Sequence, residues 1–331
     1  MRKILFTTFI TLIISLISCN NNNTTPQQQN GETEGATSLT MPDFDADSAF
    51  AFVKAQTDFG PRTPGSDAHK ACALWLSEKL GSYCDTVILQ QFTSKTYDNK
   101  SWESVNIIGE IAPEKTSRIL LAAHWDSRPF ADHDPNPANH DKPIDGANDG
   151  ASGVGVLLEI ARQLHLQQPE VGVDIIFFDL EDYGTPQSVD LPGDWWCLGA
   201  QYWAKNPHKT GYKADFGILL DMVGASNAVF RHEAFSYNYA QPYLAKIWGT
   251  AYQLGHKEYF RNEAANPITD DHLYVNTIAR IPMVNIVHQD NSTGTGFTTT
   301  WHTLNDNINN IDPKTLKVVG TTVLAVIKNH K

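Results

Sequence analysis

Short apolar runs that end in an acid or a histidine, alternating with longer stretches of helical period, constrain this chain more than any other feature. Ile119–His124 leads into HWD (His124–Asp126), Gly172–Asp179 into the FFDLED stretch (Phe177–Asp182), and Phe216–Met222 closes on LLDM (Leu219–Met222). The middle run carries Val173, Ile175, Ile176, Phe177 and Phe178, the composition of a sheet strand covered on both faces. Further strands are predicted at Thr86–Phe92, Glu103–Glu110 and Met283–Val287. Helical patterns cover Ser48–Thr57, Ala68–Leu80, Ala151–His165, Tyr239–Leu254 and Asp312–Asn329, the last with Pro313 at the first helical position, where helices favour it. In the second of these, capped by Ser66 or Asp67, the spacing puts Ala71, Leu74, Trp75 and Leu80 on one side. Strands alternating with helices predict an α/β fold, a three-layer α/β/α sandwich around a central mixed, mostly parallel sheet. Open sheets of this kind place their sites at strand ends, where the acids and histidines fall here.

The start of the chain reads as a targeting segment. Arg2 and Lys3 precede the apolar stretch Ile4–Ile17, and Leu16-Ile17-Ser18-Cys19 has the form of a lipobox; the stretch is short for a membrane span and has the flanks of a signal peptide. The expected organisation is a lipoprotein signal peptide over 1–18, a disordered tether over 19–42 beginning at lipidated Cys19, and a single catalytic domain over 43–331. That predicts a bacterial cell-envelope protein, anchored to a membrane by lipid and facing the periplasm. A net charge of −12 without a basic stripe excludes nucleic acid as a partner on electrostatic grounds. No coiled-coil heptad stands out, so a monomer is expected. Cys72, Cys84 and Cys197 remain after the anchor; a Cys72–Cys84 disulfide and three buried thiols are equally compatible with the sequence. There is no Gly-x-Ser-x-Gly, which argues against a serine hydrolase.

Two more stretches, GANDGASG (Gly146–Gly153) and WHT (Trp301–Thr303), complete a set of candidate metal ligands. His124 ends a strand, Asp149 sits in a Gly-rich loop opening a helix, Glu181 and Asp182 follow the most apolar strand, Asp221 ends the next, and His302 lies in a loop before the last helix. Each alone is weak, since an aspartate after a strand is most often a cap or a solvated turn. Together they change the balance. A region collecting Asp149, Asp182 and Asp221 is too negative without a cation, and carboxylates with imidazoles are ordinary zinc ligands.

The ordered set HWD, GANDGASG, DLED, LLDMVG, DDH (Asp270–His272) and WHTLND (Trp301–Asp306) resembles the zinc-dependent aminopeptidase fold of the M28 type, and within it the glutaminyl cyclases of animal and bacterial type. The resemblance covers the chain from the Gly60–Ser66 stretch to the last helix. It implies one Zn²⁺ per chain held by Asp149, Asp182 and His302, with Glu181 as general acid and base and Asp221 and Asp270 as its hydrogen-bond partners. Trp301 and Phe297 match the aromatic wall of the cyclase pocket, and His124 is placed beside the substrate rather than on the metal. Asp270, where peptidases tend to carry Ser, and Trp301, where they commonly carry Tyr, tilt the resemblance toward the cyclase. One departure is Glu181-Asp182, where animal cyclases have Glu-Glu; the shorter side chain draws the metal toward the strand end. Asn291–Gly296 reads as a flexible loop shaping the pocket rim, and either Trp195 or Trp196 as a further wall.

The implied activity is cyclisation of the N-terminal glutamine of peptides or proteins to pyroglutamate with loss of ammonia, by a glutaminyl-peptide cyclotransferase. The alternative on the same fold is a zinc aminopeptidase of the M28 type, in which His124 and Asp221 hold a second metal. A binding lipoprotein with a merely structural metal is disfavoured by Glu181, an acid beside a ligand for which a structural site has no use.

Overall fold

A computed structural model of the chain describes residues 42–331. The signal peptide, Cys19 and nearly all of the expected tether lie outside the described residues. Pro42, the last residue assigned to that tether, is buried.

Fifteen elements follow: α1 (Ala46–Thr57), α2 (Asp67–Gly81), β1 (Thr86–Lys95), β2 (Ser101–Ile111), β3 (Arg118–His124), α3 (Ala151–Leu166), β4 (Gly172–Phe178), α4 (Leu198–Lys205), β5 (Phe216–Asp221), β6 (Phe230–His232), α5 (Ala234–Gln253), β7 (Phe260–Ala264), α6 (Asp271–Tyr274), β8 (Met283–Val287) and α7 (Pro313–Lys328). The main sheet has the order β1-β2-β4-β3-β5-β8. Its β4, β3, β5 and β8 are mutually parallel, while β1 and β2 run antiparallel on one side. This is the predicted mixed sheet, and β3, β4, β5 and β8 are buried along their whole length.

The period of two in the strands builds the three layers. Ile119, Leu121 and Ala123 of β3, with Ile175 and Phe177 of β4, join the core beneath α1, α2, α3, α5 and α7. Their alternates Leu120, Ala122, Ile176 and Phe178 join a second core under α4 and α6. At about 25 cal/mol per Å² of apolar surface, two such cores supply most of the drive for folding. Close approach of α3 depends on Gly153, where a Cβ would run into the Leu220 carbonyl of β5.

Several expectations are corrected. The buried face of α2 is His69, Cys72, Leu76 and Leu80, and Leu74 is 61% exposed. The helix is turned because His69 is drawn inward, with Nε2 2.8 Å from Asp179 Oδ1 and its ring stacked on Trp125. Cys72, Cys84 and Cys197 are all free thiols, and burial pushes Cys72 and Cys84 up to about 12. Helix α5 starts at Ala234, five residues before the predicted start. It bends at Ala240 ahead of Pro242, which has no N–H for the helical ladder. The helix α4 and the small β6–β7 sheet were not predicted.

Candidate active site

The parallel strands deliver the candidate residues to one edge of the sheet. His124 is the last residue of β3, Asp221 the last of β5, and Glu181 and Asp182 follow β4 after Leu180. Leu180, Met222 and His302 all have left-handed backbone, with φ of 54°, 50° and 54°. Strain of this kind in non-glycine residues persists where surrounding contacts over-determine it, and it gathers at functional sites. Asp149 precedes Gly150, whose φ of 92° turns the chain into α3.

Donor atoms of Asp149, Asp182 and His302 lie within 4.8 Å of one another, and so do those of His124, Asp149 and Asp221. The two triads share Asp149. His302 Nε2 is 3.4 Å from Asp182 Oδ1 and 3.7 Å from Asp149 Oδ2. The residues fit a cation: Asp182 Oδ2 and Asp221 Oδ1 are buried carboxylate oxygens without a hydrogen-bond partner, an arrangement that is costly unless something else satisfies them. Oxygen and imidazole donors without thiolate suit catalytic Zn²⁺.

Electrostatics point the same way. Burial, then Asp270 and Asp149, push Asp221 up to about 8 against the opposing His124. Burial, with Asp149 beside it, raises Asp182. Burial also raises Glu181 well above the usual carboxyl range, with His124 opposing and Asp182, Asp270 and Asp271 adding to the rise. Burial works against charge on His124, but Asp126, Asp149 and Asp221 together hold it well above the usual imidazole range. Crowded carboxylates of this sort are relieved by a bound cation.

A cavity of about 370 Å³ opens over the first triad. Asp149, Asp182 and His302 line it with Glu181, Asp221 and Asp270, and Trp301, Phe297 and Trp196 form aromatic wall. Trp301 stacks on His302 at 3.7 Å between ring centroids and meets Phe297 at 4.7 Å. Trp196 is the tryptophan of the 195–196 pair that reaches the cavity. Asn291, Thr295 and Gly296 sit at the rim; Thr293 Oγ1 donates to the Phe297 carbonyl and accepts from Gly296 N–H, which pins the loop.

Two details depart from expectation. His124 does not line the cavity: it is 1% exposed, with Nε2 3.0 Å from Asp149 and 3.3 Å from Asp221. Its contacts with three carboxylates hold it beneath the site, out of reach of a substrate. Glu181 Oε1 accepts from Cys197 Sγ at 3.1 Å. Asp270 stands within 4.8 Å of both, but its hydrogen bonds come from Asn285 and the Asp271 N–H, so it acts on Glu181 through charge.

Sequence reasoning missed the residues that hold the candidates in place. Asp126 accepts from the N–H groups of Glu181 and Asp182 at 3.1 and 3.2 Å. Asp306 accepts from the N–H groups of Asn148 and Asp149 at 2.8 and 3.0 Å; burial and the charge of Asp149 push it up to about 7. Both belong to motifs quoted above, HWD and WHTLND, and that was the available signal. Arg128 and Asp132 form a bidentate pair, both bonds 2.8 Å, visible in sequence only as an i,i+4 charge pair.

The model of peptidase family M28 matches residues 106–327. A solved Zn-dependent exopeptidase from Parabacteroides distasonis is 52% identical, with a TM-score of 0.87 over 88% of this chain and 100% of that one. The solved glutaminyl cyclase of Tannerella forsythia is also 52% identical, with a TM-score of 0.86 over the same shares of the two chains. The glutaminyl-peptide cyclotransferase of the snake Gloydius blomhoffii is 27% identical over 297 residues, 79% of this chain and 76% of that protein.

Proposed function

Because the chain belongs to peptidase family M28, we propose that its metal site serves a glutaminyl-peptide cyclotransferase, converting N-terminal glutamine of peptides or proteins to pyroglutamate. The observation that carries this reading is the make-up of the cavity, which the donor triad lines together with Glu181, Asp270, Trp301 and Phe297. Such a chamber takes one flat, polar side chain with the α-amine of the same residue against the acids. The likeness to solved bacterial glutaminyl cyclases supports it.

Asp149, Asp182 and His302 would hold one Zn²⁺, which would supply Lewis-acid polarisation of a side-chain carbonyl. The residues of the chain do the rest. Trp301 and Phe297 hold the glutamine side chain curled so that its α-amine faces its own carboxamide carbon, and orientation of this kind accounts for much of the rate. As the new C–N bond forms, Glu181 takes a proton from the amine. It returns a proton to the departing NH₂ group as the old C–N bond breaks, and ammonia leaves. The acids around Glu181 raise its proton affinity, which suits both halves of that exchange.

The same reading places the protein at the periplasmic side of a bacterial envelope, supported by the signal-peptide pattern over 1–18 and the lipobox ending at Cys19. A second reading, a zinc aminopeptidase, is favoured by the intact triad of His124, Asp149 and Asp221. A paired assay separates the two. Purified protein receives Gln-Phe-amide and Leu-Phe-amide, and ammonia, pyroglutamyl product, free amino acid and zinc content are read from one sample. Ammonia and pyroglutamyl product at one zinc per chain is the expected result; free leucine at two metals per chain makes the protein a peptidase.

A further inference from the structure

We infer that the buried Arg128–Asp132 ion pair is a positioning clamp, which sets the orientation of two zinc ligands and ties them to the Trp196 wall of the pocket. The inference rests on the proposed ligation by Asp149, Asp182 and His302.

The pair touches three segments far apart in sequence. Arg128 donates through Nε and Nη2 to the two oxygens of Asp132, both at 2.8 Å. Its remaining arm, Nη1, donates to the Asp182 carbonyl at 3.0 Å and lies 3.4 Å from Asp182 Oδ1. Asp132 Oδ1 lies 3.2 Å from His302 Nδ1, a charge contact that is not a formed hydrogen bond. The guanidinium carbon is 4.7 Å from the centroid of the Trp196 ring, and that ring is parallel to His302 within 11°. Asp132 Oδ2 also accepts from the Gln187 N–H at 3.0 Å.

Stability alone does not account for this arrangement. Arg128 is 1% exposed and Asp132 8%, and a buried ion pair is commonly no more stabilising than apolar side chains of the same volume. What the pair does is choose which atoms face the metal position. A carboxylate beside His302 Nδ1 favours the proton on that nitrogen and leaves the Nε2 lone pair pointing at Asp182 and Asp149. A guanidinium beside Asp182 Oδ1 fixes that carboxylate with its partnerless Oδ2 free for the cation. Only a planar fork fits both tasks together with a ring face, so lysine is no substitute for Arg128.

The test measures zinc affinity by chelator competition on zinc-loaded wild type, Asp132→Asn, Arg128→Lys and His302→Ala, with KM and kcat alongside. Asp132→Asn and Arg128→Lys are expected to weaken zinc about 10- to 100-fold, and at saturating zinc Arg128→Lys raises KM because Trp196 has lost its support. Zinc affinity within twofold of wild type in a folded Asp132→Asn or Arg128→Lys protein overturns the clamp. ¹⁵N NMR of the zinc-loaded wild type decides the matter even if a variant fails to fold: His302 protonated at Nδ1 and metallated at Nε2 supports the clamp, and metallation at Nδ1 overturns it. His302→Ala separates the two levels. If it holds zinc as tightly as wild type, the ligand assignment fails and the clamp with it; if it loses zinc while the other variants do not, the clamp alone is wrong.

Discussion

Glu181 is placed next to a ligand without being needed as one, and its surroundings give it a different task. It is buried at the cavity wall, among acids that favour its protonated form, so it can hold a proton between the attacking amine and the departing one. Glu181→Gln keeps the shape and removes the exchange; kcat is expected to fall by about 10²- to 10⁴-fold with zinc content unchanged. Loss of zinc together with activity would mean that Glu181 belongs to the ligands. Cys197 bears on the same residue. Its Sγ donates to Glu181 Oε1 at 3.1 Å and its N–H donates to the Glu181 carbonyl at 2.9 Å. Cys197→Ala removes one hydrogen bond to a buried carboxylate, of about 1 kcal/mol or more. A several-fold fall in kcat at nearly constant KM is expected, with Cys197→Ser recovering most of it; a change confined to KM would refute the role. Glu181, Asp182 and Asp221 were legible in sequence because they follow apolar strands, while Asp149 and Asp270 were legible only through the GANDGASG and DDH motifs. Asp126 and Asp306 stood in quoted motifs and Arg128 and Asp132 in an i,i+4 pair, but their roles, like that of Cys197, come from contacts that folding creates.

At the scale of elements, the same distinction separates strands from helix faces. Strands β3, β4, β5 and β8 were legible because they are apolar on both sides, and that leaves a run with no other reading. The face of α2 was not, because a tertiary bond from His69 to Asp179 outweighs the apolar period of the helix. The start of α5 was hidden for a related reason: its cap is a glutamate. Glu233 accepts from the N–H groups of Phe235, Ser236 and Ile268, from Ser236 Oγ, and contacts His272 Nε2 at 2.9 Å. Burial pushes its carboxyl up, but His272 and these N–H donors hold it down at about 2, against 4.5 for an ordinary glutamate. A carboxyl depressed on folding stabilises the protein above its unfolded pKa and loses that contribution as pH falls through the folded one. The contribution, on the order of 3 kcal/mol from the size of the shift, is therefore present at pH 5 and above and fades between about pH 4.5 and pH 2. Urea unfolding of wild type and Glu233→Gln checks this: the gap between them should be widest near neutrality and narrow toward pH 3. A gap that stays constant from pH 7 to pH 3 would show that packing, not charge, makes the cap.

For the whole molecule, the question is how one edge of a sheet tolerates five buried carboxylates. Asp149, Glu181, Asp182, Asp221 and Asp270 all line one cavity: Glu181 and Asp182 arrive together after β4, Asp221 ends β5, Asp149 precedes the start of α3, and Asp270 caps α6. Three of them, Glu181, Asp182 and Asp221, follow from the parallel arrangement itself, since β4 and β5 flank β3 and all three strands end at the same edge. The fold thus gathers acids where the sheet is otherwise most apolar, and burial there pushes Glu181, Asp182, Asp221 and Asp270 toward their protonated forms, a bias that a bound cation opposes. Binding to the folded chain alone stabilises it by mass action, by about 2.7 kcal/mol when free zinc is a hundred times its Kd. In a domain of this size each kcal/mol moves Tm by roughly 2–4 °C. Zinc removal by a chelator should therefore lower Tm by about 5–10 °C and abolish ammonia release, and one equivalent of Zn²⁺ should restore both. Because the metal relieves a repulsion shared by all five acids, neutralising one of them outside the triad has the opposite effect on the metal-free protein: Asp270→Asn is expected to raise its Tm while lowering kcat. Calorimetry of the chelated wild type and Asp270→Asn, each with and without zinc, tests both statements. A metal-free Tm equal to that of the loaded protein would show that the sheet edge carries its carboxylates without help, and the cation would then matter for chemistry alone.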